Sequence, residues 1–462
     1  MTETDKKELF ESMPVARALA TMAVPTIISQ IINLVYNMVD AFFIGRTGNP
    51  YMTAATTLTL TLVMLNVAFS NLFGVGGGSL IARLMGAGKI EDAKKVSSFS
   101  VYGSILISVT YSVLTLIFMD RLLYFLGASE TTVDFARKYA LIVVVIGSCP
   151  AILSMTLSHL LRNAGYSSQS SIGLSLGGMI NIVLDPLFMF VLLPKGNEVT
   201  GAAVATLISN VISCVYLLIT YMRSASEAPL SLWPSEALKT GKENVKKLFA
   251  VGIPSAILTG LFDLANVCLN ILSSAHGDIV LAGMGIVMKV ERIPNAVNIG
   301  ICQGMLPIVA YNYASGDRNR MRETIRTARI CGLAVSAVSI LLLEVFASPV
   351  SGLFMSRSGG DSAALTVAYA AMFLRIRCIA SPVQFINYHS SFCMQAMGKG
   401  KATMLHAVVR ELVFYIPLMY LLDRLFGEIG LASALPIGEF FGAVFALILL
   451  YSVLRKKETM KA

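Results

Sequence analysis

The chain has 462 residues, of which 55% are hydrophobic and only 14% are charged, and its formal net charge is +9. Soluble domains usually have about 25% charged residues, so this composition excludes a soluble globular protein and indicates an integral membrane protein. The excess of Lys and Arg does not indicate nucleic-acid binding, because these residues cluster in loops on one predicted side of a membrane.

The first half of the chain, residues 12–222, predicts six membrane spans. Met1–Glu11 is charged and polar and does not have the pattern of a secretory signal. The apolar stretch Ala18–Ile44 is long enough to be a retained helix. A helix needs about 20 apolar residues to cross a bilayer, and runs such as Leu141–Leu161 and Ala202–Tyr221 meet this length.

A polar linker, residues 223–247, holds the single tryptophan, Trp233, and separates the first half from a second set of six spans. The second half occupies residues 248–455 and ends in the apolar run Leu431–Val453. Twelve spans use most of the chain and leave only short loops. The sequence therefore predicts an all-α, polytopic membrane protein with twelve transmembrane helices in two six-helix repeats.

Basic residues predict the orientation in the membrane. Loops on the side of the amino terminus contain Lys94, Lys95, Lys246, Lys247 and Arg320. Cytoplasmic loops are enriched in Lys and Arg. We therefore expect a multi-pass protein of the cell membrane (inner or plasma membrane) with both termini in the cytoplasm.

The two halves resemble each other. Pro25 in the first span matches Pro254 in the seventh, and Gly74–Gly78 in the second span matches Gly300–Gly304 in the eighth. Each half has an even number of spans, so an axis along the membrane normal should relate the halves. Two such bundles leave a central cleft, and rocking about it gives alternating access. The glycine pairs themselves favour close helix packing over nucleotide binding.

A polar stripe runs along the first span. Ser29, Asn33, Asn37 and Asp40 follow one another at spacings of four, four and three residues, and Tyr36 lies one turn before Asp40. Residues at these spacings share one face of a helix. Polar and ionisable groups within spans usually face a bundle interior or a water-filled cavity. We expect this face to line the solute pathway, with Tyr36, Asn33 and Asn37 in the substrate cavity.

The fifth span adds a second carboxylate. Asn181 and Asp185 are one turn apart, and Pro186 disturbs the helix directly afterwards. A buried carboxyl group near a second one favours its neutral form and can exchange a proton. Alternatively, Asp40, Asp185, Asn181 and the hydroxyl of Thr206 offer hard oxygen ligands to Na⁺. In a structural interpretation, each Asp would cap a neighbouring helix or form a hydrogen bond across the bundle.

Ionisable residues in the seventh and eighth spans are further candidates for the substrate cavity. The seventh span contains Asp263 and Asn266, and the eighth contains Glu291. Lys289 could instead neutralise Asp263 or Glu291 in a structural ion pair.

The second half has no equivalent of the Asp40–Asp185 pair, because the position that matches Asp185 is Ile416. This asymmetry indicates that the amino-terminal half holds the main ion site. Arg410, Glu411 and Glu439 are candidates for ion pairs that stabilise the bundle.

Enzymatic and metal-binding functions receive no support. The seven cysteines include no CxxC pair, the four histidines are scattered, and the sequence has no HExxH, GxSxG or phosphate-binding loop. We expect no catalytic activity, no cofactor, and no metal beyond a possible Na⁺ at Asp40, Asn181 and Asp185.

Taken together, these features resemble the multidrug and toxic compound extrusion (MATE) family of transporters over residues 12–455. The first-helix Asp and the Asn-x-x-x-Asp-Pro motif are similar to the DinF-like branch. The segments that carry the resemblance are Pro25 with Asp40–Gly45, Asn71–Gly78, Gly86–Gly88, Asn181–Pro186 and Gly201–Thr206.

The resemblance implies a V-shaped pair of six-helix lobes that exports organic cations, including drugs, in exchange for H⁺ or Na⁺. By motif match it implies an ion site at Asp40, Asn181 and Asp185, with Thr206 nearby and Tyr36 lining the cavity. Another branch uses an acidic residue in the seventh helix, close to the position of Asp263. The implied partners are small organic cations and membrane lipid, with no nucleic acid, and we expect a monomer.

Two alternatives remain open at this point. A flippase for lipids or lipid-linked oligosaccharides, from the same superfamily, should line its cleft with Arg and Lys, and Lys289, Arg375 and Arg377 would suit it. The stripe in the amino-terminal half, however, has only carboxylates, amides and hydroxyls. The second alternative is a membrane receptor that binds a ligand without transport.

Overall fold

The computed structural model describes residues 3–354 and 360–455, and these residues form helices joined by short turns. The first half of the chain contains α1 (Glu3–Glu11), α2 (Val15–Arg46), α3 (Pro50–Gly86), α4 (Ile90–Phe125), α5 (Val133–Ala140), α6 (Ser148–Asn163), α7 (Ser167–Leu187) and α8 (Glu198–Ser224). The remainder contains α9 (Pro234–Leu238), α10 (Lys242–Ala275), α11 (Asp278–Ser315), α12 (Arg318–Gly352), α13 (Gly360–Cys378), α14 (Ser381–Ala396), α15 (Gly400–Val408) and α16 (Ile416–Arg455). π-Helical segments follow α5, α7 and α15, at Leu141–Ile146, Phe188–Leu192 and Val409–Tyr415.

The described helices account for twelve membrane spans. Nine are long and apolar enough to cross a membrane, and the bent pairs α5–α6 and α13–α14 add one span each. The stretch Gly400–Arg455 has 56 residues, too many for one crossing at 1.5 Å per residue. It breaks at Gly427, where φ is 59° and ψ is −144°, and so it forms two spans. The prediction of a twelve-helix, multi-pass membrane protein is confirmed.

Two spans that the sequence presents as continuous apolar runs are bent. Helices on either side of Gly147 meet at 46°, so the predicted span Leu141–Leu161 is divided into a π-helical segment and α6. The corresponding span of the second half bends by 51° between α13 and α14. Pro150 and Pro382 lie just after the two bends, where each proline removes a backbone donor.

The spans form two lobes: the amino lobe (residues 15–224) and the carboxy lobe (residues 242–455). The lobes meet closely at one end of the bundle, where α2 begins and α3 ends, which we call the amino face. A Cβ atom on Gly252 of α10 would lie 2.0 Å from the Leu72 carbonyl oxygen of α3, and one on Gly304 of α11 would lie 2.6 Å from the Ala23 Cα of α2. Only residues without side chains allow this approach, so these glycines close the amino face.

Helix α1 packs across the amino face and joins the two lobes. The ring of Phe10 stacks on Tyr311 of α11 at a centroid distance of 4.9 Å. Arg320 of α12 donates hydrogen bonds to the carbonyl oxygens of Phe10 (2.7 Å) and Leu9 (3.0 Å). The polar amino end of the sequence is therefore part of the closure. The carboxyl terminus, predicted to be cytoplasmic, lies outside the described residues.

The linker between the lobes is bound to α4 of the amino lobe. Ser98 and Tyr102 each donate a hydrogen bond of 2.8 Å, to the carbonyl oxygens of Trp233 and Leu232 respectively. Thr240 donates to the carbonyl oxygen of Lys95 at 3.1 Å. The linker thus runs along the surface of one lobe up to the start of α10.

Candidate functional site

A cavity of about 410 Å³ lies between the two lobes, and we call it the central cavity. Sites for drug-sized ligands have volumes of about 300–1,000 Å³. The polar residues that line it are Gln30, Asn33, Asn37, Asn71, His159, Arg162, Asn163, Ser255, Thr259, Arg292, Asn295, Gln303, Gln395 and Arg410, and its aromatic lining consists of Phe262, Tyr388 and Phe392.

Two hydrogen bonds join the lobes through residues that line the central cavity. Asn71 of α3 donates to Oγ1 of Thr259 on α10 at 3.0 Å. Arg162 of α6 donates from Nη1 to Oε1 of Gln303 on α11 at 3.1 Å. The cavity is therefore bounded by side chains of both lobes.

The lining of the central cavity is rich in amides and contains three arginines. No Asp or Glu is found among the described residues that line it. The guanidinium of Arg410 binds Glu439 through two hydrogen bonds, of 3.0 and 2.5 Å. Neither Arg162 nor Arg292 has a carboxylate within 4.0 Å in the part of the chain that the structure describes. The cavity therefore has a positive electrostatic character.

The carboxylates predicted for the ion site lie in a second pocket, inside the amino lobe, which we call the carboxylate pocket. Asp185 and Asn181 of α7 are almost fully buried, at 0% and 2% exposure, and Asp40 of the adjacent α2 is half-buried. Nδ2 of Asn181 donates to Oδ1 of Asp185 (3.2 Å) and to Oγ1 of Thr206 on α8 (3.4 Å). Asp40 and Asp185 are close enough for their charges to interact. The structure thus brings all four predicted ion-site residues together.

Three buried oxygens in the carboxylate pocket have no hydrogen-bond partner among the described residues. They are Oδ1 of Asp40, Oδ2 of Asp185 and Oδ1 of Asn181. A buried acceptor without a donor is unfavourable by about 1–3 kcal/mol. A proton, or a hard cation such as Na⁺ that prefers oxygen ligands, would satisfy these oxygens.

Two tyrosines complete the carboxylate pocket. Tyr36 lies near both Asp40 and Asp185, and its ring lies against Gly178 of α7. Tyr139 of α5 is 7% exposed and lies near Thr206. Sequence reasoning missed Tyr139, which lies two residues before a π-helical segment. π-Helical turns are frequent at functional sites, but the sequence carries no local signal for them.

The residues predicted to line the substrate cavity are divided between several places. Asn33 and Asn37 do line the central cavity, whereas Tyr36 contacts the carboxylate pocket. Asp263 and Asn266 are half-buried on α10 and are not among the lining residues. Asp263 interacts instead with the charge of Arg292, which does line the cavity.

Glu291 does not line the central cavity either. It forms two hydrogen bonds of 2.9 Å with Nε and Nη2 of Arg377 on α13. The guanidinium neutralises the carboxylate inside the carboxy lobe, so Lys289, one of the partners considered for Asp263 or Glu291, is not needed by Glu291.

A buried polar network occupies the middle of the carboxy lobe. Nδ2 of Asn387 donates to Oε2 of Glu439 at 2.6 Å, and Oδ1 of Asn387 lies 3.0 Å from Nε2 of His406. Arg410 lies between Glu439 and Glu411, whose Oε1 is 3.6 Å away. These contacts join three spans, as expected for ion pairs that stabilise a bundle.

Comparison with known proteins shows similarity over the whole chain. The sequence model of the MatE family matches residues 25–187 and 254–421, once in each half. The multidrug export protein MepA of Staphylococcus aureus is 29% identical over 451 residues, covering 98% of this chain and 96% of the relative. The protein of the same name from Staphylococcus haemolyticus is 29% identical over 453 residues, covering 98% and 97%.

Solved structures share the fold. One, described as the outward-facing conformation of a multidrug resistance MATE family transporter of the MOP superfamily, has a TM-score of 0.90 and 22% identity and covers 98% of both chains. Another, from Pyrococcus furiosus, is a MOP superfamily transporter for which reverse polarity of the binding pocket is said to suggest a different function. It has a TM-score of 0.89 and 22% identity and covers 100% of both chains.

Proposed function

This chain belongs to the MatE family, and from that premise we propose that it exports drug-sized organic compounds, organic cations among them, in exchange for H⁺ or Na⁺. The observation that carries the proposal is the separation of two sites, the carboxylate pocket for the ion and the central cavity for the solute. The relatives named multidrug export proteins support the choice of solute.

Helix α2 connects the two sites. One side of it contributes Gln30, Asn33 and Asn37 to the central cavity, while Tyr36 and Asp40 contact the carboxylate pocket. Binding of a cation at Asp40 and Asp185 removes the repulsion between α2 and α7 and draws these helices together. Because α2 is a continuous helix from Gln30 to Asp40, a movement at Asp40 would change the shape of the cavity, and the ion and the solute can then compete.

The lining of the central cavity suits amphipathic solutes. Phe262, Tyr388 and Phe392 offer aromatic faces. Such faces attract organic cations by about 0.5–2 kcal/mol each, and they also pack against apolar rings. Amide side chains can donate or accept hydrogen bonds, so they suit solutes of varied chemistry.

The closed amino face fits the outward-facing stage of an export cycle. Lys94, Lys95 and Lys246 lie at this face, and loops rich in such residues are cytoplasmic in membrane proteins. In a cell membrane with this orientation, the conformation described here is closed to the cytoplasm and releases its solute to the outside.

The positive character of the central cavity favours a second candidate, a flippase for an anionic lipid or lipid-linked oligosaccharide. Arg162 and Arg292 line the cavity, and neither has a carboxylate within 4.0 Å in the described part of the chain, although the more distant Asp263 faces the charge of Arg292. Positively charged side chains in a cleft are what such a head group requires.

The experiment that tests the proposal uses the purified protein in liposomes. Uptake of a fluorescent organic cation is followed under an imposed H⁺ or Na⁺ gradient, and the gradient that drives uptake identifies the coupling ion. If neither gradient drives uptake while a fluorescent anionic lipid exchanges between leaflets, the flippase is the better assignment.

A further inference from the structure

Arg162 differs from the other buried arginines. Three arginines are buried in the described part of the chain: Arg162, Arg377 and Arg410, at 3%, 5% and 2% exposure. Arg377 and Arg410 each bind a glutamate through two hydrogen bonds. Arg162 has no carboxylate within 4.0 Å among the described residues.

The neighbours of Arg162 are uncharged. Nη1 donates to Oε1 of Gln303 at 3.1 Å, and Nη2 donates to Oγ of Ser158 at 3.3 Å. Nε is buried and has no hydrogen-bond partner in the described structure. A buried charge without a partner is strongly unfavourable, by several kcal/mol. The side chain lines the central cavity, so a ligand there can supply the missing negative charge.

We propose that Arg162 is an anion-binding subsite of the central cavity and that the chain carries drug-sized zwitterions whose carboxylate binds there. The transport of these compounds rests on the proposed function, whereas their binding does not. A carboxylate fits because its two oxygens match the parallel N–H groups of a guanidinium. Arg292 adds positive charge, and no described lining residue is an acid that would repel the ligand. Phe392 and Tyr388 contact the apolar body.

The test compares two fluorescent dyes that differ by one negative charge. Rhodamine 110 has a free carboxylate beside its cationic ring system, whereas rhodamine 123 is the methyl ester and is purely cationic. Binding of each dye to the purified protein is measured by fluorescence polarisation. We expect the wild type to bind rhodamine 110 more tightly, and millimolar benzoate to displace rhodamine 110 but not rhodamine 123.

Substitutions then assign the preference to one residue. Arg162→Gln should weaken binding of rhodamine 110 by about tenfold or more, the loss expected for a charge-assisted hydrogen bond. It should not weaken binding of rhodamine 123, because the change removes a positive charge that repels a cation. Arg162→Lys retains the charge but not the planar pair of donors, so it should bind rhodamine 110 with intermediate affinity. Arg329→Gln removes a partly buried arginine away from the cavity and should behave as the wild type.

Three results would overturn the proposal: equal weakening of both dyes by Arg162→Gln, unchanged affinity for rhodamine 110 in that variant, or no preference and no benzoate competition in the wild type. The first would show that Arg162 only holds the lobes together through Gln303. Gradient-driven uptake of rhodamine 123 tests the export function separately. If rhodamine 123 is taken up but the protein does not bind rhodamine 110 more tightly, only this inference is refuted. If the protein prefers rhodamine 110 in binding but no uptake is driven by either gradient, only the export function is refuted.

Discussion

Asn181 donates a hydrogen bond of 3.2 Å to Asp185, one turn further along α7, and occupies one carboxylate oxygen while leaving the other without a described partner. The amide therefore orients the carboxylate and keeps Oδ2 available for an ion. Asp40 has an unpartnered oxygen in the same pocket. Two acidic residues thus lie on adjacent helices, and under the proposed function a bound cation would reduce the repulsion between them.

Neutralising either carboxylate should uncouple transport. We expect Asp40→Asn and Asp185→Asn each to reduce gradient-driven uptake of an organic cation by about tenfold or more, because an amide can neither bind a proton nor offer a charge to Na⁺. Uptake is measured in proteoliposomes. Asp120→Asn, which changes an exposed carboxylate paired with Arg137, serves as the control and should leave uptake unchanged. Normal uptake in both pocket variants would exclude this site.

Gly252 should be essential for closing the amino face. Its Cβ in Gly252→Ala would lie 2.0 Å from the carbonyl oxygen of Leu72, a contact that requires backbone to move. Overpacking of this kind is unfavourable by about 1–3 kcal/mol, so the population of the closed state should fall several-fold or more. Spin labels on α3 and α10 measure the distance between the lobes.

The matched control for this prediction is Gly260→Ala on the same helix, where, apart from the two chain neighbours and the nearby backbone of that helix, no atom of the described residues lies within 4 Å of the added Cβ. Identical distance distributions in the two variants would show that the close contact does not control closure.

Breaking the ion pair between Glu291 and Arg377 should destabilise the carboxy lobe. In Glu291→Gln, the guanidinium of Arg377 stays buried without a counter-charge, at an expected loss of about 3–5 kcal/mol. The protein should therefore unfold at a lower temperature in detergent. Replacing both residues by Met should be less harmful than the single change, because no charge is left buried.

The exposed pair Arg375–Glu344, at 3.9 Å, provides the control. Surface ion pairs contribute about 0–1 kcal/mol, so Arg375→Gln should barely change the unfolding temperature. If Glu291→Gln and Arg375→Gln lower the unfolding temperature by the same amount, burial does not make the Glu291–Arg377 pair more important for stability than an exposed pair.

Removing the ring of Phe10 should loosen the closure of the amino face. Phe10→Ala loses the stacking on Tyr311 and the burial of a large side chain, together about 3–5 kcal/mol if the site does not collapse. We expect cysteines placed at the amino face to react faster with a water-soluble maleimide in this variant. Lys7→Ala changes an exposed neighbour on α1 and should keep the slow rate. If the cysteines react with the maleimide at the same rate in Phe10→Ala as in the wild type, α1 does not contribute to closure.

Much of the amino lobe could be predicted because its polar residues repeat with the period of a helix. The spacing of Asn33, Asn37 and Asp40 defines one face of α2, and Asn181 and Asp185 define one face of α7. Adjacent polar faces in a membrane protein must meet or face water, so the proximity of the two aspartates could be predicted. The division of α2 between two sites could not be predicted. Helical spacing shows which residues share a face, but it does not show which part of that face meets a neighbouring helix and which part lines a cavity.

The carboxy lobe was harder to predict because its partners are distant in sequence. Glu291 has Lys289 nearby on its own helix, yet it pairs with Arg377, 86 residues away. That choice depends on the packing of α11 against α13, which no local pattern encodes. The bend before α14 was not predicted either, although Pro382, which lies just after it, removes a backbone donor.

The linker has a consequence for how the chain could be divided. Its hydrogen bonds with α4 involve residues up to Thr240, so the linker before Gly241 packs on the first lobe. The covalent connection between the lobes is then the short segment at Gly241, where α10 begins. Two separately expressed polypeptides, ending and beginning at that joint, would retain every described contact that we have assigned to the closed amino face, including the hydrogen bonds from Arg320 to α1.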